Sequence, residues 1–273
     1  MSELPVVAAI PNYNMGKELT KLLPQLTAQD YNEIYVLDDA STDDSRIIVE
    51  SFDKQVHFVP ATENKGAGAA RNRIIGALAG RKVLIHFIDA DTILETDDIV
   101  EKIRTMMPHE PVGFVGGLVN DKDGLQNLWN YGPRQSLRAA IGAQLQTYVG
   151  SLLTTNPDKA ARIRRRFGYL LADRPDPLRS AQPRSVFWCI EANLVIQSDV
   201  FTQIGGFDEA LREHEIQDLA IRLDDAGLKR YFNPLVAVRH TAGQVRNYNR
   251  NFEMAKAEFY ISRKHGLLKW LFG

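Results

Sequence analysis

Two aspartates separated by an alanine, Asp89-Ala90-Asp91, follow directly on the apolar run Val83 to Ile88. Alternate residues of an extended segment share a side, so both carboxylates can face one divalent ion, which takes hard oxygen ligands and bridges substrate phosphates. Such an ion acts as a Lewis acid and offsets the charge that builds on a departing diphosphate. A solvated turn competes with this reading of the isolated tripeptide. Its place at a strand end, downstream of Asp39 and Arg71, favours the metal.

Two earlier segments also close apolar runs: Pro11-Asn12-Tyr13-Asn14, and Asp38-Asp39-Ala40-Ser41-Thr42-Asp43. In an open parallel sheet, ligands gather at the carboxyl ends of strands, so both point at one crevice. A carboxylate there accepts hydrogen bonds from a nucleobase or ribose, and Tyr13 can stack on a base. Asp43 reads as a cap for the helix that follows. Asp39 reads as functional, because adjacent carboxylates repel and a cap needs only one. Between these segments and Asp89 lies Asn64-Lys65-Gly66-Ala67-Gly68-Ala69-Ala70-Arg71-Asn72. Its glycines allow close backbone approach at a helix start, and Lys65 and Arg71 offer charge to a diphosphate. It is neither a Walker loop nor a Gly-x-Gly-x-x-Gly fingerprint, which counts against a nucleoside triphosphatase or a dehydrogenase.

The elements that must position these residues alternate. Val6 to Ile10, Ile34 to Leu37, Val56 to Val59 and Val83 to Ile88 read as strands; Lys17 to Ala28, Asp44 to Phe52 and Gly68 to Ala79 carry apolar residues at helical spacing. The pattern predicts an α/β sheet, mostly parallel, with helices on both faces. Asp97 to Met107 reads as a helix and Val112 to Val119 as a strand. From Leu125 to about Pro183 the alternation is lost, and the arginine run Arg162, Arg164, Arg165 and Arg166 leads to a proline cluster, which reads as an inserted helical segment. Strand character returns at Val186 to Ile196 and at Leu235 to His240, around a Gly205-Gly206 turn and a helix near Ile216 to Ala226. Asn251 to Trp270 reads as a helical tail. The 33 basic and 34 acidic residues give a formal charge of -1, which excludes a global electrostatic footprint for nucleic acid. The one cysteine, Cys189, fits a reducing, cytoplasmic setting. Met1 to Pro5 lacks a signal-peptide pattern, and no apolar run has the length of a spanning helix.

Taken in series, Pro-x-Tyr-Asn, Asp-Asp-x-Ser-x-Asp, Asn-x-Gly-x-x-x-Ala-Arg-Asn and Asp-x-Asp resemble glycosyltransferase family 2, whose members share the GT-A fold. The resemblance is dense from about Val6 to Leu94 and resumes from about Asn193 to His240. It implies that Asp39 contacts the base, that Arg71 and Asp89 contact the nucleotide, with Pro11, Tyr13, Asn14 and Lys65 around them, and that Asp91 binds Mn2+ or Mg2+. Ile204-Gly205-Gly206-Phe207-Asp208-Glu209 resembles the family's turn into its catalytic helix. Where the family commonly shows Glu-Asp-x-Asp-Leu, this chain has Glu215-Ile216-Gln217-Asp218-Leu219. Inversion at an anomeric carbon needs a base opposite the leaving group, and Glu215 and Asp218, three apart, share a helix face. Glu215 is placed first; Asp218 also fits a helical pair with Arg222. His240 stands where the family often places a third metal ligand. Trp188 and Glu191 are candidate acceptor contacts, although Trp188 also suits the core.

The expectation is one GT-A domain over 1-273: a nucleotide-sugar-binding half (1-120), a helical insertion (121-185), an acceptor and catalytic half (186-245) and a C-terminal helical tail (246-273). Its expected activity is metal-dependent, inverting transfer from a UDP-, GDP- or dTDP-linked sugar to a glycan or lipid-linked acceptor, in polysaccharide, glycolipid or cell-surface glycan synthesis. Residues 162-166 or 263-272 would give any contact with the inner face of a membrane. A non-catalytic sugar-nucleotide-binding subunit is the rival suggested by Ile216. A nucleotidyltransferase would instead carry a glycine-rich basic loop where Asn12-Tyr13-Asn14 stands.

Overall fold

Strand β1 (Val6–Asn12) is buried on both faces, as an uninterrupted apolar run requires of a central parallel strand. A computed structural model describes residues 4–52, 55–108, 110–177, 179–241 and 250–266. After β1 come α1 (Gly16–Thr27), β2 (Glu33–Asp38), α2 (Ser45–Glu50), β3 (Val56–Val59), α3 (Ala67–Leu78), β4 (Leu84–Ile88), β5 (Thr92–Leu94), α4 (Ile99–Met106) and β6 (Val112–Asn120). The middle of the chain forms β7 (Tyr131–Gly132), α5 (Leu137–Leu152), α6 (Pro157–Arg166) and α7 (Gly168–Leu171). It closes with β8 (Arg184–Ser185), β9 (Trp188–Cys189), β10 (Asn193–Gln197), α8 (Ser198–Gln203), α9 (Glu215–Asp225), β11 (Lys229–His240) and α10 (Arg250–His265).

The main sheet runs β3-β2-β1-β4-β10-β6-β11-β5, with β8 added to β11. Strands β1, β2, β3, β4, β6 and β11 point one way; β5, β8 and β10 point the other, so the sheet is mixed and mostly parallel. The pleat sends alternate residues of β1 into two cores. Ala8 and Ile10 meet the leucines of α1 (Leu19, Leu22, Leu23, Leu26) and the apolar face of α4. Val7 and Ala9 meet Ile74 of α3, Phe201, Phe207 and Ile216. No helix among the described residues is long and apolar enough to cross a membrane.

Several boundaries differ from the sequence reading. The expected strand over 186–196 divides: β9 pairs with β7 in a separate two-stranded sheet, while β10 enters the main sheet between β4 and β6. The break is fixed where Ile190 N donates to Asn130 O at 2.9 Å. Strand β11 starts six residues before the expected Leu235, because its register on β6 slips between Phe232 and Ala237. Pro234 lies in that slip, where a residue without an N–H is tolerated. The short elements β5 and α8 escaped the periodicity argument. The insertion holds three helices with a small core of their own, Val149, Ala160 and Leu171. Of the tail, the helix is described to His265; Lys269, Trp270 and the apolar residues around them lie outside the described residues.

A buried polar chain ties the two kinds of strand together. Asn193 of β10 donates through Nδ2 to Leu118 O (2.9 Å) and Val236 O (3.1 Å), so its Oδ1 must accept from His86 Nε2 at 2.9 Å. His86 Nδ1 is then free to accept from the Tyr31 hydroxyl at 2.6 Å. Burial lowers the His86 pKa to about 4, consistent with this neutral tautomer. Gly117 makes the approach possible, since a Cβ there would collide with the Asn193 amide. Asn193→Ala strands two carbonyls and an imidazole N–H in the interior. At roughly 1–3 kcal/mol for a buried group left unpaired, a stability loss of about 3 kcal/mol is expected in urea titration; a loss below about 1 kcal/mol would contradict this role.

Candidate active site

The carboxyl ends of β1, β2 and β4 and the N-termini of α3 and α9 meet at one place. Asp89 and Asp91 follow β4, and the turn between them is held by the Thr92 hydroxyl donating to Asp89 O at 2.7 Å. Strand β5 then pairs antiparallel with β11, which sets His240 opposite Thr92. Thr241 completes the clamp, donating through N (2.9 Å) and Oγ1 (3.0 Å) to Asp91 O. One ligand atom each from Asp89, Asp91 and His240 lies within 4.8 Å of the others. His240 Nε2 is buried without a hydrogen-bond partner, 3.7 Å from Asp89 Oδ2. Burial, then the charge of Asp89, pushes the Asp91 pKa up to about 6, with His240 acting the other way. Two carboxylates and an orphaned imidazole nitrogen converging on one point fit a divalent cation.

Arg71, one turn into α3, is 3% exposed. Its Nη2 donates to Asp89 Oδ1 at 2.7 Å, its Nη1 lies 3.7 Å from Glu191 Oε1, and its guanidinium sits 5.7 Å from the centre of the Phe207 ring. Burial works against the charge, but Asp89, Glu191 and Glu215 outweigh it and hold the pKa above the usual arginine value. Glu191 reaches this position from the turn between β9 and β10.

Glu215 opens α9 directly after His214, whose φ is 63°. The preceding turn is stapled to α3 by Asn72, which donates to Phe207 O and accepts from Phe207 N, both at 2.8 Å. Gly206, at φ 67°, runs so close to the Asn72 amide that a side chain has neither the room nor the backbone freedom to replace it. Gly68 also faces this turn: a Cβ there would lie 3.2 Å from Glu215 Cγ. Glu215 is 5% exposed, and its pKa is pushed up to about 7, first by burial and then by Glu191, with Arg71 opposing.

Asp218 has different surroundings. Fully buried, it lies 2.8 Å from each of Arg222 Nε, Lys264 Nζ and His265 Nε2. Burial alone would raise its pKa; hydrogen bonds from Lys264 and His265, with the charge of Arg222, hold it below the usual value. The helical pair with Arg222 is therefore present, extended by Lys264 and the His265 imidazole of α10. Ile216, where the family commonly has an acid, turns into the core beside Phe207 and Leu219 rather than into the cleft.

At the ends of β1 and β2, the Asp39 carboxylate accepts from the N–H groups of Lys65 (3.1 Å) and Gly66 (2.7 Å) and from Arg73 Nη2 (2.9 Å). It clamps the loop that starts α3 to the end of β2. Asp38 accepts from Asn12 Nδ2 at 2.8 Å, so each of the adjacent carboxylates has its own donors. Pro11 is the next-to-last residue of β1, Tyr13 is 40% exposed, and Asn14 accepts from Thr42 N at 2.8 Å. Asp43 accepts from Ser45 N and from Gly16 N, in line with a capping role. Lys65, expected at the diphosphate, is half-exposed and paired with Glu63 at 2.8 Å. Trp188, expected at the acceptor, instead donates its indole N–H to Pro133 O at 3.0 Å and lies over Gly132. The sequence reading missed Arg73 and Asn72 as positioning groups; their only signal was proximity to Arg71.

The family model for Glycosyl transferase family 2 matches residues 7–169. The putative teichuronic acid biosynthesis glycosyltransferase TuaG of Bacillus subtilis is 30% identical over 127 residues, covering 44% of this chain and 50% of the relative. The N-acetylglucosaminyl-diphospho-decaprenol L-rhamnosyltransferase of Mycobacterium tuberculosis is 27% identical over 250 residues, covering 87% of this chain and 75% of the relative. The chain thus spans half the length of the first and three quarters of the second. A mannosyltransferase from Pyrobaculum calidifontis, solved with GDP-Man and Mn2+, superposes with a TM-score of 0.58 at 16% identity over 94% of this chain and 62% of that one. With the GT-A architecture in place and more than half of its length matched by the family model, this chain is a glycosyltransferase and belongs to glycosyl transferase family 2.

Proposed function

We propose that the chain transfers a sugar, with inversion, from a UDP-, GDP- or dTDP-linked donor to the hydroxyl of a glycan or lipid-linked acceptor. The observation that carries this reading is Glu215, a buried carboxyl raised to about 7 beside Arg71 and Glu191 and near the Asp89–Asp91 corner. A general base works best with a pKa near the operating pH, and Glu215 meets that condition. The rhamnosyltransferase relative, named for a diphospho-decaprenol-linked substrate, supports a lipid-linked acceptor.

Asp89, Asp91 and His240 are the residues that would hold a Mn2+ or Mg2+ ion, and the imidazole favours Mn2+. Once bound, the ion would supply Lewis-acid stabilisation to the diphosphate. The chain's own groups do the rest. Tyr13 and the Asp39-clamped loop 65–66 border the base. Arg71 holds the Asp89 carboxylate in place. Glu215 takes the proton from the acceptor hydroxyl as its oxygen bonds to the anomeric carbon, while the bond from that carbon to the diphosphate oxygen breaks on the opposite side. Asp218, held by Arg222, Lys264 and His265, positions α9. A degenerate subunit is disfavoured because position 216 points into the core, so its loss of acidity removes nothing from the cleft.

Glu215→Gln is expected to retain donor affinity in calorimetry and to lose transfer by about 10³-fold, within the roughly 10²–10⁴ range for a positioned base; full activity would reject Glu215. Asp218→Asn removes the charge that Arg222 and Lys264 pair with, so its main effect is a stability loss of about 3 kcal/mol; a loss of transfer at unchanged stability would move the base there. Because Glu215 acts ionised, kcat/KM should rise with pH through a value near 7, and a profile flat from pH 5 to 9, values taken as roughly bracketing that pKa, would contradict the assignment. Asp91→Ala should abolish Mn2+ binding, followed by Mn2+ electron paramagnetic resonance, with the circular dichroism spectrum unchanged. Undiminished Mn2+ affinity would remove Asp91 from the metal site.

A further inference from the structure

The insertion between β7 and β8 has a charge unlike the rest of the molecule. Residues 137–184 carry nine Lys and Arg against three Asp, in a chain whose formal charge is -1. Two of those acids are tied down: Asp176 pairs with Arg164 at 3.0 Å and Asp173 with Arg184 at 3.3 Å. Lys159, Arg162, Arg165 and Arg166 remain exposed.

Beside these cations runs a helix face of the opposite kind. Apart from Arg138, α5 contains no charged residue in its sixteen positions. Ile141, Gln144 and Tyr148, spaced i, i+3, i+7, form an exposed uncharged stripe, and Tyr169 of α7 is 61% exposed near its N-terminal end. The two stripes adjoin. Lys159 Nζ lies 5.6 Å from the centre of the Tyr148 ring, and Arg162 and Arg166 follow Lys159 at the same i+3, i+7 spacing. Arg138 donates to Tyr169 O at the other end. Exposed aliphatic and tyrosyl side chains flanked by cations suit the boundary between headgroups and acyl chains of an anionic bilayer, where tyrosine presents an apolar ring and a polar tip together.

This face is anchored at the active site. Ser136 caps α5 by accepting from Ala139 N at 3.2 Å, and the adjacent Gln135 lies 3.0 Å from Nδ1 of His214, the residue before Glu215. Arg134 pairs with Asp224 of α9 at 3.1 Å.

We propose that the α5–α7 insertion docks on an anionic phospholipid surface through Ile141, Tyr148, Tyr169, Lys159, Arg162 and Arg166, bringing the mouth of the cleft to membrane-borne acceptors. The purpose given to the surface rests on the lipid-linked acceptor reading; the docking itself does not.

Flotation of the full chain with vesicles tests it. The chain should bind phosphatidylcholine vesicles containing phosphatidylglycerol, lose binding as salt is raised, and ignore pure phosphatidylcholine. A cation at an anionic surface is worth about 5-fold in partitioning, so Arg162→Gln/Arg166→Gln should weaken binding roughly 25-fold. Ile141→Ser/Tyr148→Ser should weaken it while salt dependence persists. Absence of flotation, or equal flotation of wild type and both variants, overturns the proposal. So does a concentration-dependent dimer in light scattering that Ile141→Ser/Tyr148→Ser abolishes, which would reassign the face to self-association. Nucleotide calorimetry on the same preparations separates the two readings: retained nucleotide binding without flotation rejects membrane docking alone, and loss of nucleotide binding rejects the donor site.

Discussion

The site depends on one buried guanidinium. Arg71 lies between Asp89 and Glu191, with Glu215 close enough to act on its charge. An unpaired charge in such a place is costly by several kcal/mol, and so are three carboxylates without a cation. Each therefore makes the other tolerable. The arrangement also joins parts of the chain that are far apart in sequence: α3, the end of β4, the turn before β10, and the start of α9. Removing the positive charge would leave Asp89, Glu191 and Glu215 mutually repelling, so the constellation is a unit rather than a set of separate residues.

The backbone around Arg71 is shaped to permit this. Asp39 holds the entry to α3, Asn72 holds the turn before α9, and Gly68 keeps the space between the helix and Glu215 open. The same packing explains the chemical difference between the two acids of α9. Three residues apart, Glu215 meets one shared cation and other carboxylates, while Asp218 meets Arg222, Lys264 and the His265 imidazole. Their pKa values are driven in opposite directions, the pattern that suits one acid of a helix to proton transfer and the other to a structural role.

The N-terminal half was legible because its signals are local: apolar runs of strand length, each ending in a polar cluster. Asp89 and Asp91 needed only the adjacent strand to be placed, whereas His240, singled out by family resemblance, is set beside them by the pairing of β5 with β11. Asp218 could not be resolved from sequence, because its decisive partner His265 lies 47 residues downstream. Asp39 drew attention as one of two adjacent carboxylates; its donors are two backbone groups 26 and 27 residues away and the Arg73 side chain, 34 residues away, invisible to composition. Trp188 and Ile216 follow from geometry alone, since only the split of 186–196 into two strands and the rotation of α9 decide which way they face.

The most direct test is calorimetric titration of UDP, GDP and dTDP into the chain with Mn2+ present and with Mn2+ removed. If the Asp89–Asp91–His240 corner and Arg71 together form a metal-assisted diphosphate site, one nucleotide should bind tightly only with Mn2+, and the nucleotide should tighten Mn2+ by the same factor, as linkage demands. Equal affinity with and without the ion for all three, or no binding in either condition, would contradict the account.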